Sequence, residues 1–177
     1  MTGATQAGAD LDSACAGAGL HPVPGLLGIS PSANSAPNDI GKQDYLDDRS
    51  TPDEVVRSLY NAVNRHEYAR AYSYWGAGSQ AQPFPAFQDG YAQTAAVALT
   101  TGHSESALHD GDMNYALPVD LSATMTDGSV RGFTRCYRLQ LPVPSSQTVP
   151  PYQPLNIQSA ALRPSSSSPN LDVACNG

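Results

Sequence analysis

The sequence is poor in charge, and poorest in positive charge. Charged residues make up 14% of the 177 residues, with nine lysines and arginines against 16 aspartates and glutamates. Proteins that bind a nucleic-acid backbone or an anionic membrane surface present a basic patch or stripe, and the sequence contains none. We therefore expect no nucleic acid and no anionic membrane surface among its partners.

The sequence also lacks a long apolar run. A helix that crosses a bilayer needs about 20 consecutive apolar residues, and no run of that length occurs. Residues 1–20 lack the charged start and the apolar stretch that mark a signal peptide. We expect no membrane-spanning segment, and either a cytosolic protein or an exported one whose signal peptide is not present in this chain.

Catalytic and cofactor-binding motifs are missing as well. The sequence contains no Ser-x-x-Lys motif, no Gly-x-Ser-x-Gly elbow, no His-Glu-x-x-His motif and no P-loop. One polar stretch, 103–114, holds side chains of the types that bind borderline or hard metals, and we interpret it as a solvated loop. We predict no cofactor, no metal site and no catalytic residue. The side chains of metal-binding type in that stretch are His103, Glu105, His109, Asp110 and Asp112.

The stretch from Thr51 to Trp75 predicts two consecutive amphipathic helices. Thr51 can cap the first turn, Pro52 suits the first helical position, and Glu54 stands where a capping box has its carboxylate. Apolar side chains then recur at helical spacing, with a break after Asn64. The two apolar faces consist of Val55, Val56, Leu59, Tyr60 and Val63, and of Tyr68, Ala71, Tyr72 and Trp75.

A third helix beginning at Pro85 and an antiparallel meander are predicted to follow. Asp127-Gly128 is a strong hairpin signal between two alternating apolar segments. Helices followed by a meander with one apolar face predict an α+β domain, in which the helices cover a curved sheet and leave a cone with an open mouth. The predicted strands are Thr94–Thr101, Tyr115–Thr126, Val130–Pro142 and Leu155–Leu162.

Alternation along these strands assigns one face to the helices and the other to the outside. Cys136 falls on the outward face, between Arg135 and Tyr137. The side chains predicted to face the helices are Ala95, Val97, Leu99, Leu117, Val119, Leu121, Ala123, Met125, Phe133, Tyr137, Leu139, Leu141, Leu155, Ile157 and Ala161.

The chain ends are rich in Ala, Gly, Ser and Pro. Residues 1–50 cannot bury enough apolar surface to offset the ordering of the chain, so we predict a disordered tail or linker there, followed by the domain at 51–163. Residues 164–177 form a C-terminal tail that can cross the outward sheet face and bring Cys175 to Cys136. A disulfide between them, which would indicate an oxidising compartment, is favoured over a buried thiol at Cys136 and an inert thiol at Cys175. The sequence does not assign a partner to Cys15.

The domain resembles the NTF2-like superfamily, and more narrowly exported bacterial members of it. The resemblance is carried by DEVVRSLYNAVNRHEYARAYSYW, FQDGYAQTAAVALTTG and YALPVDLSATMTDGSVRGFTRCYRLQL. Its most specific parts are the asparagine-containing helix break, the aromatic run ending at Trp75, the Phe-x-x-Gly-Tyr segment and the Asp-Gly hairpin before Cys136. It implies a cone-shaped (cystatin-like) α+β fold, often dimeric, with a pocket between sheet and helices. The short strand usual between the second and third helices is not visible in residues 76–83.

The resemblance gives the aromatic residues a second interpretation. Aromatic side chains at helical spacing are most often core, and the pocket walls of this fold are themselves core residues. The candidate ligand-pocket residues are Tyr60, Tyr72, Trp75, Tyr91, Tyr137 and Phe133.

A pocket enzyme of this fold needs a carboxylate or a histidine inside the cone as a general base. Asp120 faces outward by alternation, and Asp89 and Glu67 lie on helices without a predicted apolar enclosure. The expected function is therefore a non-catalytic binding module for a small apolar ligand or a protein partner at the cell envelope. Two alternatives stay open: a pocket enzyme of the isomerase, cyclase or hydratase kind, and a structural module that forms a homodimer through its sheet.

Overall fold

The computed structural model describes residues 44–79, 81–145 and 147–164, together with residues 171 and 175. Within these residues three helices precede a five-stranded antiparallel sheet, which confirms the predicted α+β class. Of the tail predicted at 1–50, residues 1–43 lie outside the described residues. The helices are α1 (Pro52–Asn64), α2 (Tyr68–Tyr72) and α3 (Phe84–Asp89), and the strands are β1 (Thr94–Thr101), β2 (Glu105–His109), β3 (Asp112–Met125), β4 (Val130–Pro142) and β5 (Asn156–Pro164).

Helix α1 begins as its sequence predicts. The side chain of Thr51 accepts a hydrogen bond from the backbone N–H of Glu54 at 3.2 Å, and Pro52 occupies the first turn. One face of the helix is buried against the sheet because its apolar residues recur every three to four positions. Helix α2 is shorter than predicted and ends at Tyr72, three residues before Trp75.

The strands pair in the order β1-β3-β4-β5, and β2 pairs with the start of β3. The β3–β4 hairpin turns at Asp127-Gly128, as predicted, and Gly128 supplies the left-handed conformation with φ 83°. Thus β1 and β2 lie end to end along one side of the long strand β3. The other side of the sheet ends in β5, where Trp75 adds an isolated parallel bridge to Ile157.

The predicted loop at 103–114 is wrong over most of its length, because it forms the β2–β3 hairpin. Glu105 pairs with Ala116 and His109 with Asp112. The turn between them is Asp110-Gly111, in which both residues have positive φ, 51° and 84°. This is the same Asp-Gly signal as at the next hairpin, and it places both residues in the primed turn that joins twisted strands.

The predicted assignment of side chains to the inner and outer faces is confirmed over most of the sheet and is wrong at two irregularities. Leu117, Val119 and Leu121 are buried towards the helices. A bulge between Thr94 and Ala96 shifts the register of β1, so that Thr94 pairs with Met125 and Ala95, predicted to face inward, is exposed.

Strand β5 contains the second irregularity. The pairing with β4 shifts between Arg138 and Leu139. Beyond that shift Ala161 pairs with Cys136 of the outer face and is exposed, contrary to its predicted inward position, whereas Ala160 packs against the core. An extra residue in one strand moves every later side chain to the other face.

Residues 44–50, which the sequence places in the tail, are held against α1 and α2. Asp48 and Ser58 exchange two hydrogen bonds, of 2.8 and 3.2 Å. The phenol of Tyr74 donates to Asp47 at 2.7 Å. These residues form neither helix nor strand, and side chains of the helices satisfy their backbone groups. Residues 44–50 therefore contact the helices of the domain predicted at 51–163, although they precede its predicted start.

The predicted Cys136–Cys175 disulfide is present. Cys136 is buried on the outer sheet face, and its sulfur is bonded to that of Cys175, with a Cα–Cα distance of 5.0 Å. Arg138 donates to the carbonyl oxygen of Cys175 at 3.3 Å. Leu171 lies beside Gly102, where an added Cβ would meet the Leu171 Cβ at 3.3 Å. The C-terminal chain thus reaches the outer face at these two described residues.

Among the described residues, no helix has the length and apolar character needed to cross a membrane.

Candidate functional site

Two buried tyrosine hydroxyls meet between α1 and β4. Tyr60 lies on the sheet-facing side of α1, and Tyr137 points inward from the middle of β4. Their oxygens are 2.7 Å apart and their rings meet edge to face, with 6.5 Å between centroids. Tyr60 is 3% exposed and Tyr137 is fully buried. In such a pair one hydroxyl donates to the other, which leaves the second hydrogen free for another acceptor.

Arg135 lies on the same face of β4 as Tyr137, two residues earlier. Its Nη1 makes a long contact of 3.4 Å with the Tyr137 hydroxyl, and its buried Nε has no hydrogen-bond acceptor among the described residues. None of the ion pairs in the described part of the chain includes Arg135. A guanidinium is charged at every physiological pH, so this is a largely buried cation surrounded by phenols.

Tyr91, in the turn between α3 and β1, completes what we call the phenol–guanidinium cluster: Tyr60, Tyr91, Arg135 and Tyr137. Burial raises the pKa of Tyr91, and the neighbouring Tyr137 raises it further. Burial likewise raises the pKa of Tyr60 well above its ordinary value of 10.0. Both phenols therefore stay protonated at neutral pH, where they can exchange hydrogen bonds but are poor general bases.

The three phenols of the cluster stabilise the charged form of Arg135. Burial lowers the pKa of Arg135, but the interactions with the three phenols outweigh burial, and the pKa lies above its ordinary value. Arg135 is the one cation among the four residues of the cluster, and none of the four is a carboxylate.

A row of aromatic rings connects the cluster to α2 and α3. The ring of Phe87 contacts those of Tyr72 and Tyr91, with 5.3 Å between centroids in both pairs. Phe87 is buried, and the other two rings are half-buried. One wall of the site is therefore aromatic, and Tyr91 belongs both to the wall and to the cluster.

The six predicted pocket residues are only partly brought together. Tyr60, Tyr91 and Tyr137 share the phenol–guanidinium cluster, and Tyr72 reaches it through Phe87. Phe133 occupies the inward position before Arg135 on β4 and packs against the core. Their role as a ligand pocket stays a prediction.

Trp75 stands apart from that group. No ring contact among the described residues joins it to the other five. Its backbone bridges to Ile157, and its indole Nε1 is buried without an acceptor in the described part of the chain.

The side chains considered as general bases lie away from the cluster. Glu67 accepts hydrogen bonds from Arg65 at 2.8 Å and from Arg70 at 2.6 Å, and both guanidiniums lower its carboxyl pKa. Asp89 and His66 are exposed. Asp120 occupies an outward position of β3, between Thr100 and Thr134. In addition, no group of His, Cys, Asp and Glu within the described ranges is arranged to hold a metal ion.

A separate surface pocket of about 210 Å³ lies on the sheet. None of the six predicted pocket residues lines it. Its walls come from β2, β3, β4 and β5 and consist of Glu105, Ser106, Ala107, Asn114, Tyr115, Ala116, Arg138, Leu139 and Gln158.

Sequence reasoning missed Arg135 as a site residue. The signal was available, because Arg135 alternates in step with Phe133 and Tyr137, both predicted to face the helices. A charged side chain in an inward position of a predicted strand is itself a sign of a functional site, since charged groups are rarely buried without a role.

Comparisons with known proteins assign no family to the chain. No family model matches the sequence, and a search of curated proteins finds no similar one. A similar solved structure is that of Bdellovibrio bacteriovorus Bd1075, with a TM-score of 0.42 and 9% sequence identity over 63% of this chain. The match spans 40% of the Bdellovibrio chain. A likeness at this level assigns neither a fold family nor a function.

Proposed function

We propose that the chain is an exported NTF2-like binding module of the cell envelope, which takes up a small, largely apolar molecule between its helices and its sheet. The observation that carries the proposal is the phenol–guanidinium cluster on the inner sheet face. A few polar groups that converge within an apolar and aromatic wall are the usual composition of a small-molecule site.

The element order supports the NTF2-like interpretation. Three helices precede an antiparallel sheet and cover one of its faces, as expected for a cone of this kind. The disulfide between Cys136 and Cys175 supports export, because such bonds persist mainly in oxidising compartments.

The protonation states support binding rather than catalysis. An isomerase, cyclase or hydratase needs a group that removes a proton at neutral pH. The phenols of Tyr60 and Tyr91 have a raised pKa, and Arg135 is a guanidinium; neither kind of group accepts a proton at neutral pH.

Access from solvent is supported by partial exposure at the edge of the cluster. Tyr91 and Phe133 are half-buried, as is Leu99, which lies in the same inward row of the sheet as Phe133. An apolar molecule entering there meets aromatic and aliphatic side chains first and the cluster behind them.

The test uses the single tryptophan, Trp75, as an internal fluorescence donor. The neutral apolar probe N-phenyl-1-naphthylamine is titrated into the full chain, and energy transfer from Trp75 is followed. We expect saturable binding, strongly weakened by Tyr91→Ala and unchanged by Tyr152→Ala, a matched control at a tyrosine that is 66% exposed. Absence of saturable binding, or equal binding by both variants, would contradict the proposal.

Homodimerisation through the sheet is the structural alternative. The described C-terminal residues Leu171 and Cys175 lie on the outer face, so the chain itself covers part of that surface. Sedimentation velocity of the full chain distinguishes the two: a monomer that binds the probe supports the binding module, and a dimer that binds no probe supports the structural role.

A further inference from the structure

We propose that the small molecule carries an anionic oxygen group of the carboxylate class, and that Arg135 binds this group. The proposal rests on the proposed binding function and specifies the chemistry of its ligand. A guanidinium offers five N–H donors in a planar fork that matches the two oxygens of a carboxylate. The described residues use this fork incompletely: Nη1 lies 3.4 Å from the Tyr137 hydroxyl, the guanidinium also interacts with the Tyr91 hydroxyl, and the buried Nε has no acceptor.

The charge balance of the site points the same way. A buried cation is normally paired with an anion, because removing an unpaired charge from water is costly. The cluster contains one cation and no carboxylate, and none of the ion pairs of the described residues reaches Arg135. The phenol oxygens can accept hydrogen bonds but do not neutralise the charge, so an anionic ligand would complete the site.

The phenols add donors for the same group. Hydrogen bonds link Tyr60 to Tyr137 and to Tyr91, and when the hydroxyls donate in turn, the hydrogen of the last hydroxyl is available to a ligand oxygen. Tyr91 stays protonated and contributes another O–H beside Arg135. Charge-assisted hydrogen bonds from these groups would hold an oxyanion more strongly than a neutral hydroxyl.

The apolar side chains next to Arg135 indicate that the rest of the ligand, beyond its anionic group, is apolar. The inward row next to Arg135 consists of Phe133, Leu121 and Leu99, which face each other across β4, β3 and β1. Leu121 is buried, and the other two are partly exposed. A molecule with its charged end at Arg135 and its apolar part along this row would satisfy both environments.

The experiment compares octanoate with octanol at pH 7 by isothermal titration calorimetry on the full chain. The two probes share one chain length and differ in the charge of the head group. We expect octanoate to bind the wild-type protein about tenfold to a hundredfold more tightly than octanol. Arg135→Gln should remove this preference while octanol binding persists, and Arg135→Lys, which keeps the charge but not the fork, should retain part of it.

The outcomes separate the two proposals. If octanol and octanoate bind the wild-type protein equally well, the carboxylate inference is overturned and the binding function stands. If neither probe binds, the binding function itself is overturned. Circular dichroism checks the fold of each variant. If Arg135→Gln does not fold, the test uses the wild-type protein and Arg135→Lys. An octanoate preference that Arg135→Lys leaves undiminished would overturn the role of the guanidinium fork.

Discussion

The side-chain amide of Asn64 takes the place of a neighbouring strand for Val97. Its Nδ2 donates to the Val97 carbonyl oxygen at 2.9 Å, and its Oδ1 accepts from the Val97 backbone N–H at 2.7 Å. Asn64 is the last residue of α1, and Val97 lies in β1, which among the described strands pairs with β3 alone. This pair of bonds fixes the end of the helix against the free side of the sheet, and thereby the helix that carries Tyr60.

Asn64→Ala should lower the free energy of unfolding by about 2–4 kcal/mol, because it leaves two buried backbone groups of Val97 without partners. Asn114→Ala is the matched control, since that amide makes only a 3.2 Å bond to Asp112 within its own hairpin. Urea denaturation measures both variants. Equal effects of the two substitutions would contradict the role assigned to Asn64.

The sequence predicts those parts of the fold whose signals are local. The cap at Thr51 and the Asp127-Gly128 turn give α1 and the β3–β4 hairpin nearly to the residue. Strand β2 could not be predicted, because all five of its residues are exposed and burial therefore imposes no alternation of apolar and polar residues on it. The Asp110-Gly111 dipeptide is a turn signal in the sequence, but the polar residues around it favoured the prediction of a loop.

The site is harder to predict because it depends on packing between distant segments. Alternation shows that Arg135 and Tyr137 share a face. Their approach to Tyr91 requires the turn after α3 to fold over β4, and their approach to Tyr60 depends on the angle of α1. No local pattern contains either relationship, which is why the aromatic residues can be named as candidates from the sequence and Arg135 was missed.

The Tyr60–Tyr137 hydroxyl pair should be energetically coupled. Tyr60→Phe or Tyr137→Phe alone should cost about 1–3 kcal/mol, because each leaves a buried hydroxyl without its partner. The double variant should cost less than the sum of the two single changes. A double-mutant cycle by urea denaturation measures the coupling, with exposed Tyr152→Phe as a control near zero. Strict additivity would mean that the 2.7 Å contact does not contribute to stability.

The disulfide should stabilise the domain substantially. Its cysteines are 39 positions apart, and closing a loop of that length in the unfolded chain corresponds to about 3–4 kcal/mol. The Cys136→Ser/Cys175→Ser double variant should lose about that amount in chemical denaturation, whereas Cys15→Ser should change little. An unchanged midpoint in the double variant would contradict the prediction.

Stability should fall in acid partly through Glu67. The hydrogen bonds from Arg65 and Arg70 lower its folded-state pKa below the ordinary value of 4.5. Its contribution is therefore complete above pH 4.5 and is lost as the pH falls through the lower folded-state pKa. Glu67→Gln should flatten the decline in Tm below pH 4.5.

The control for this titration is Glu105→Gln, an exposed carboxylate that takes part in none of the ion pairs of the described residues. Asp48 and Asp127 also have a lowered carboxyl pKa through their bonds to Ser50 and Ser129, so the decline should be reduced rather than abolished. A steeper acid decline in Glu67→Gln than in the wild type would contradict the assignment.

The most direct test of the interior binding site is an NMR titration that follows the Nε–H signal of Arg135 as octanoate is added. The account predicts a saturable shift of this signal, accompanied by backbone shifts at Tyr60, Tyr91 and Phe133. Shifts confined to the walls of the separate sheet pocket, such as Glu105, Asn114 and Gln158, would contradict it.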